Sequence, residues 1–155
     1  EQEARDAIKW DVIVTIAAAF GMSKALQNSG VAGIIAERLV SLAKVSGTGR
    51  VGLLTAVYFA TFLISNVVTN NAAAALMFPI AYAFADAAGV DVMPFALAVA
   101  FAASGSFLTP YGYATNLIVQ NLGSYTRGDY LRFGLPITVT YSVGILLMLH
   151  TVYFA

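Results

Sequence analysis

Long uncharged stretches alternate with short charged turns along the chain. Two of those stretches, between Arg50 and Asp86 and between Asp91 and Arg127, are interrupted near the middle by small polar residues. The first interruption is Ser65-Asn66-Val67-Val68-Thr69-Asn70-Asn71; the second is Thr109-Pro110-Tyr111-Gly112-Tyr113-Ala114-Thr115-Asn116. A bilayer core about 30 Å thick is crossed by about 20 helical residues. Each stretch is therefore too long for one ordinary crossing and carries amides and hydroxyls where its middle would lie. Irregular backbone at that depth survives only inside protein or beside a wet cavity. Paired interruptions of this kind point to a transporter's binding site.

The pattern predicts an all-α membrane fold in five segments. A membrane helix over 10–30 opens at Trp10, an interface anchor, and ends at Asn28-Ser29-Gly30. A short amphipathic helix over 31–45 sets Ile34, Ile35, Leu39 and Leu42 opposite Glu37 and Arg38. Over 50–88, Val51 to Ile64 climbs to the first polar break and Ala72 to Ala85 returns, with Pro79 as a kink. Arg50 and Asp86 then emerge on one side, which makes the segment a re-entrant hairpin. A broken helix over 92–124 follows: a half-helix from Met93 to Leu108, an unwound stretch around Pro110 and Gly112, and a second half-helix capped by Thr115 or Asn116. Arg127 and Asp129 are expected to solvate a turn before a final membrane helix over 133–155, with Pro136 near its start.

Composition narrows the class. Hydrophobic residues make up 59% and charged ones 10%, against roughly 25% charged in soluble domains, and mean hydropathy is +0.79. A net charge of zero leaves no basic stripe for nucleic acid. The absence of cysteine excludes disulfides and thiolate metal sites. A first residue other than Met suggests a piece of a longer protein.

The polar breaks carry the chemistry. Freed carbonyls and side-chain oxygens replace the hydration shell of a small hard cation, and neutral oxygens suffice for sodium. Helix N-termini after each break offer N–H groups and a partial positive charge to an anion. Thr69, Asn70, Asn71, Thr115 and Asn116 supply the side chains, with Ser65 and Asn66 as secondary candidates. Gly112 and Pro110 set backbone shape. Tyr111 and Tyr113 are either pocket walls or interface packing, and His150 belongs to the far interface. The breaks hold no Asp, Glu, Lys or His, so sodium with an anion suits them better than proton coupling. Ser65, Ser104 and Ser106 have no evident base, which argues against an enzyme.

These residues resemble the divalent anion:sodium symporter family. Its members carry a Ser-Asn-Thr motif at the tip of each of two re-entrant hairpins, followed by small residues and then apolar-apolar-Pro. Thr69-Asn70-Asn71-Ala72-Ala73-Ala74-Ala75-Leu76-Met77-Phe78-Pro79 is similar to the second of these, with Thr for the first Ser and Asn for the last Thr. Pro110-Tyr111-Gly112-Tyr113-Ala114-Thr115-Asn116 resembles the family's unwound loop without its later prolines. Phe107-Leu108-Thr109-Pro110-Tyr111-Gly112 is most similar to the sulfate-transporter-like branch. The resemblance implies one half of an inverted-repeat, elevator-type symporter in the plasma membrane, working as a homodimer with a first repeat missing from this chain. It implies sodium-coupled transport of a small divalent anion, sulfate before dicarboxylate or citrate, with sodium as coupling ion and no other cofactor. Thr69, Asn70, Asn71, Thr115 and Asn116 are then the substrate contacts, and Thr69, Asn70, Asn71, Gly112, Ala114, Thr115 and Asn116 the sodium site. A proton-coupled or arsenite-type carrier and a non-transporting scaffold are the alternatives.

Overall fold

The computed structural model describes residues 49–154, together with Val14, Ala17, Ala18, Gly21, Ala25 and residues 28–30. Those earlier residues are helical up to Asn28, and Ser29 N donates to Ala25 O at 2.8 Å. The rest of the segment expected over 10–30, and the whole of 31–45, lie outside the described residues. Every element from residue 49 onward is a helix: α1 (Gly49–Ser65), α2 (Asn70–Ala88), α3 (Met93–Ala103), α4 (Ala114–Gly123) and α5 (Arg127–Tyr153).

Helix α1 buries Leu53, Leu54, Val57, Tyr58, Thr61 and Phe62 along one stripe at helical spacing. Thr61 satisfies its hydroxyl on Val57 O at 2.7 Å. The helix stops where the Asn66 carboxamide takes Phe62 O at 2.9 Å. After Val67 and Val68 the chain restarts as α2, capped by Thr69, whose side chain accepts from Ala72 N. Pro79 sits inside α2 without ending it. The helix closes at Gly89, whose φ of 63° is the left-handed turn that glycine enters without a Cβ penalty.

Helix α3 is the hub, packing on α1, α2 and α5. Its buried face is Pro94, Phe95, Ala98, Val99, Ala102 and Ala103. Small residues matter here because lipid tails are as apolar as leucine, so helices associate by close packing rather than by escape from water. The expected half-helix to Leu108 ends earlier, at Ala103. Ser104 Oγ turns back onto Ala100 O at 3.0 Å, and a Cβ added to the next residue, Gly105, would sit 3.3 Å from Phe62 and 3.4 Å from Tyr141.

Helix α5 also departs from expectation, beginning at Arg127 rather than at 133 and enclosing Pro136. The cause is a capping box: Asp129 N bonds Thr126 Oγ1 and the Asp129 carboxylate bonds Thr126 N. Arg127 and Asp129 are thus first-turn residues of a helix, not a solvated turn. At 27 residues and about 1.5 Å each, α5 is about 40 Å long. Among the described residues it is the one helix long and apolar enough to cross a membrane. It buries Gly134, Thr138, Ser142 and Leu149. Tyr58 Oη donates to Ser142 Oγ at 3.1 Å, and Tyr141 Oη to Phe101 O at 3.0 Å. Gly134 lies directly on the Phe107 carbonyl: a Cβ there would be 2.2 Å from that oxygen.

Candidate functional site

Four helix ends meet at one place because each terminates at a polar break. The C-termini of α1 and α3 end at Ser65 and Ala103; the N-termini of α2 and α4 start at Asn70 and Ala114. The Ser65 hydroxyl donates to Ala103 O. Asn70 N donates to Gly112 O at 3.1 Å. The Asn70 carboxamide reaches into a nest of four oxygens: Ser65 Oγ, Ser106 Oγ and Gly112 O at 2.9 Å, and Ala103 O at 3.0 Å. Two of these are carbonyls, which only accept, so the atom among them is Nδ2, a donor.

A second set of bonds ties the breaks together alongside. Asn66 Oδ1 accepts from Leu108 N at 3.1 Å, and Thr109 Oγ1 donates to Asn66 O at 2.6 Å. Asn116 Nδ2 donates to Ser106 O at 3.0 Å, and Tyr130 Oη to Asn116 O at 2.7 Å. Gly112 fits between the two serines without room for a side chain, since a Cβ would lie 2.3 Å from Ser65 O and 2.6 Å from Ser106 Cβ. Beyond it the Arg127 guanidinium lies 5.8 Å from the Tyr111 ring centroid.

Of the residues selected from sequence, the structure joins Asn70, Gly112 and Asn116, together with Ser65 and Asn66. Thr69, Asn71, Ala114 and Thr115 are exposed around the same ends, and among the described residues the Thr69 side chain bonds only its own helix, at Ala72 N. The capping role expected of Thr115 or Asn116 is corrected. Helix α4 starts at Ala114 after an extended Tyr113 with no side-chain cap, and Asn116 turns its amide to Ser106 instead. Ser106 is the centre's unforeseen member. It is 2% exposed, and in the sequence its small-residue surroundings resemble an ordinary helix end.

The arrangement is electrostatically mixed without a formal charge. Carbonyls at the ends of α1 and α3 carry partial negative charge, and N–H groups at the starts of α2 and α4 carry partial positive charge. Such a centre offers oxygens to a cation and N–H groups to an anion side by side. No group of three or more acidic, histidine or cysteine residues suited to a metal occurs among the described residues.

The profile of the citrate transporter family matches residues 1–155. The chain is 42% identical over 137 residues to probable sodium/sulfate cotransporter 3 of Chlamydomonas reinhardtii, covering 88% of this chain and 15% of that protein. Sodium/sulfate cotransporter 1 of the same alga is likewise 42% identical over 137 residues, with 88% and 15% covered. An uncharacterized transporter of a Synechocystis species is 37% identical over 152 residues, which is 97% of this chain and 24% of that protein. The chain thus spans between 15% and 24% of the length of these relatives, which are transporters rather than enzymes. Matched along its whole length, this chain of apolar helices broken at a shared polar centre belongs to the citrate transporter family.

Proposed function

We propose that the chain is the second repeat of a sodium-coupled carrier for a small divalent anion, with sulfate favoured over dicarboxylates and citrate. The observation that carries this reading is the meeting of two helix C-termini and two helix N-termini around Asn70, with every hydrogen-bonding group in the centre neutral. Sodium takes oxygens at the carbonyl ends, and the anion takes the N–H ends with the exposed Thr69, Asn71 and Thr115. The sodium/sulfate names of two relatives support the choice of ions. Helices α1 and α3, of 17 and 11 residues, are about 26 and 17 Å long, short of a 30 Å core. That supports a re-entrant α1–α2 hairpin and an α3–α4 pair acting as one unwound crossing. A first repeat, elevator movement, a homodimer and the plasma membrane complete the proposal.

The test is uptake of labelled sulfate by the reconstituted full-length parent, with and without an inward sodium gradient. Sodium-dependent uptake that disappears in Asn70→Ala supports the reading. Sulfate uptake indifferent to sodium overturns the coupling, and absence of sulfate uptake overturns the substrate.

A further inference from the structure

Helix α4 differs from its neighbours. It is the only one of α1 to α5 for which no residue is buried, and Leu117, Ile118, Val119 and Leu122 are all exposed. Its extensive contacts with other helices are none among the described residues. An open groove of about 420 Å³, lined by Asn116, Val119, Tyr125, Asp129, Tyr130 and Phe133, separates it from the start of α5. Among the described residues, packing therefore does not fix where α4 sits. Two hydrogen bonds at its first turn tie it to the other described residues, and both use Asn116. Its amide donates to Ser106 O at 3.0 Å, and its carbonyl accepts from Tyr130 Oη at 2.7 Å.

We propose that Tyr130 is a positioning residue: its hydroxyl, reaching across the groove, holds the first turn of α4 in register with the Asn70 centre. The chain of bonds links Tyr130 Oη to Asn116 O, Asn116 Nδ2 to Ser106 O, and Asn70 Nδ2 to Ser106 Oγ. Loss of the hydroxyl frees α4 to move into the groove and shifts the Ser106 carbonyl and hydroxyl with it. The effect on ion binding rests on the proposed sodium coupling; the effect on α4 does not.

Tyr130→Phe keeps the ring and removes only the bond. In the full-length parent, spin labels at Leu122 and Val152, which are 84% and 66% exposed, report the distance between the outer end of α4 and the far end of α5. The expected result is a broader or shifted distribution in Tyr130→Phe, and an unchanged one in Tyr125→Phe, which alters the same groove without breaking that bond. In uptake assays, Tyr130→Phe should raise the sodium concentration for half-maximal rate about three- to tenfold, the worth of one net hydrogen bond, with maximal rate per folded carrier retained. An unchanged distance distribution overturns the inference. A changed distribution with an unchanged sodium requirement overturns the positioning role and leaves Tyr130 a strut. If the parent shows no sodium-dependent uptake, the functional reading fails while the distance measurement still decides whether Tyr130 holds α4.

Discussion

The carbonyl oxygen of Gly112 accepts two hydrogen bonds from Asn70, one from the backbone N–H at 3.1 Å and one from the carboxamide at 2.9 Å. Both lone pairs of that oxygen are engaged. One residue of the first break therefore grips the second break twice, and a cation that draws on Gly112 O must first displace the Asn70 amide.

Asn70 should be intolerant of substitution in a way that depends on its donor. Asn70→Ala removes a bonded carboxamide and should lower uptake per folded carrier about 10- to 100-fold. Asn70→Asp keeps the size but sets a carboxylate against the Ala103 and Gly112 carbonyls, so it should be worse than alanine. Equal activity in the two variants would mean that donation by Nδ2 is not what matters.

Gly112 and Gly144 should separate cleanly. A Cβ at Gly112 meets Ser65 O and Ser106 Cβ, whereas one at Gly144 meets none of the described residues within 4 Å. Gly112→Ala should therefore abolish transport and lower the melting temperature. Gly144→Ala lies in α5 and should be neutral, or stabilising by about 0.5–1 kcal/mol from backbone entropy. Thermal unfolding of purified carrier in detergent measures both.

Thr138 is buried on α5 with a hydroxyl that has no hydrogen-bond partner among the described residues. Thr138→Val keeps the shape and removes the unpaired group, so it should stabilise the carrier by about 1–3 kcal/mol. One turn on, Ser142→Ala strips the buried Tyr58 hydroxyl of its partner and should cost a similar amount. Opposite shifts in melting temperature are the expected outcome; a lowered value for Thr138→Val would show that its hydroxyl is bonded in the complete protein.

The groups around Asn70 are hydroxyls, amides and carbonyls, none of which titrates near neutrality. The sodium concentration for half-maximal uptake should accordingly change less than about twofold between roughly pH 6 and 8, the range in which histidine would respond. A steep pH dependence would place a titratable group from elsewhere in the protein in the site.

The helix breaks were legible because seven polar or β-branched residues from Ser65 to Asn71, and Pro110 with Gly112, contradict the apolar runs around them. Asn70 stood out for the same reason. Ser106 did not, because a serine among Ser104, Gly105 and alanines resembles close helix packing; its symmetry with Ser65, each next to a break, was the available clue. The start of α5 was misplaced because Arg127, Asp129 and Arg132 suggest a hydrated turn. Thr126-Arg127-Gly128-Asp129 is nonetheless a capping-box spacing, with Asp in the position usual for Glu, and a carboxylate in a first turn is favoured by the helix dipole. The exposure of Thr69 and Thr115 was not legible at all, since it depends on which side of each helix end faces its neighbours.

Gly134 has a mechanical consequence. Where most helix contacts interpose side chains that rotate to absorb small shifts, α5 here meets the Phe107 carbonyl backbone against backbone. Nothing compliant lies between them, and close-packed atoms pass displacement on rather than deform. Any tilt or slide of α5 toward this contact is thus delivered without slack to the segment carrying Ser106 and Gly112, which makes the longest of the described helices a lever whose short arm ends beside the polar centre.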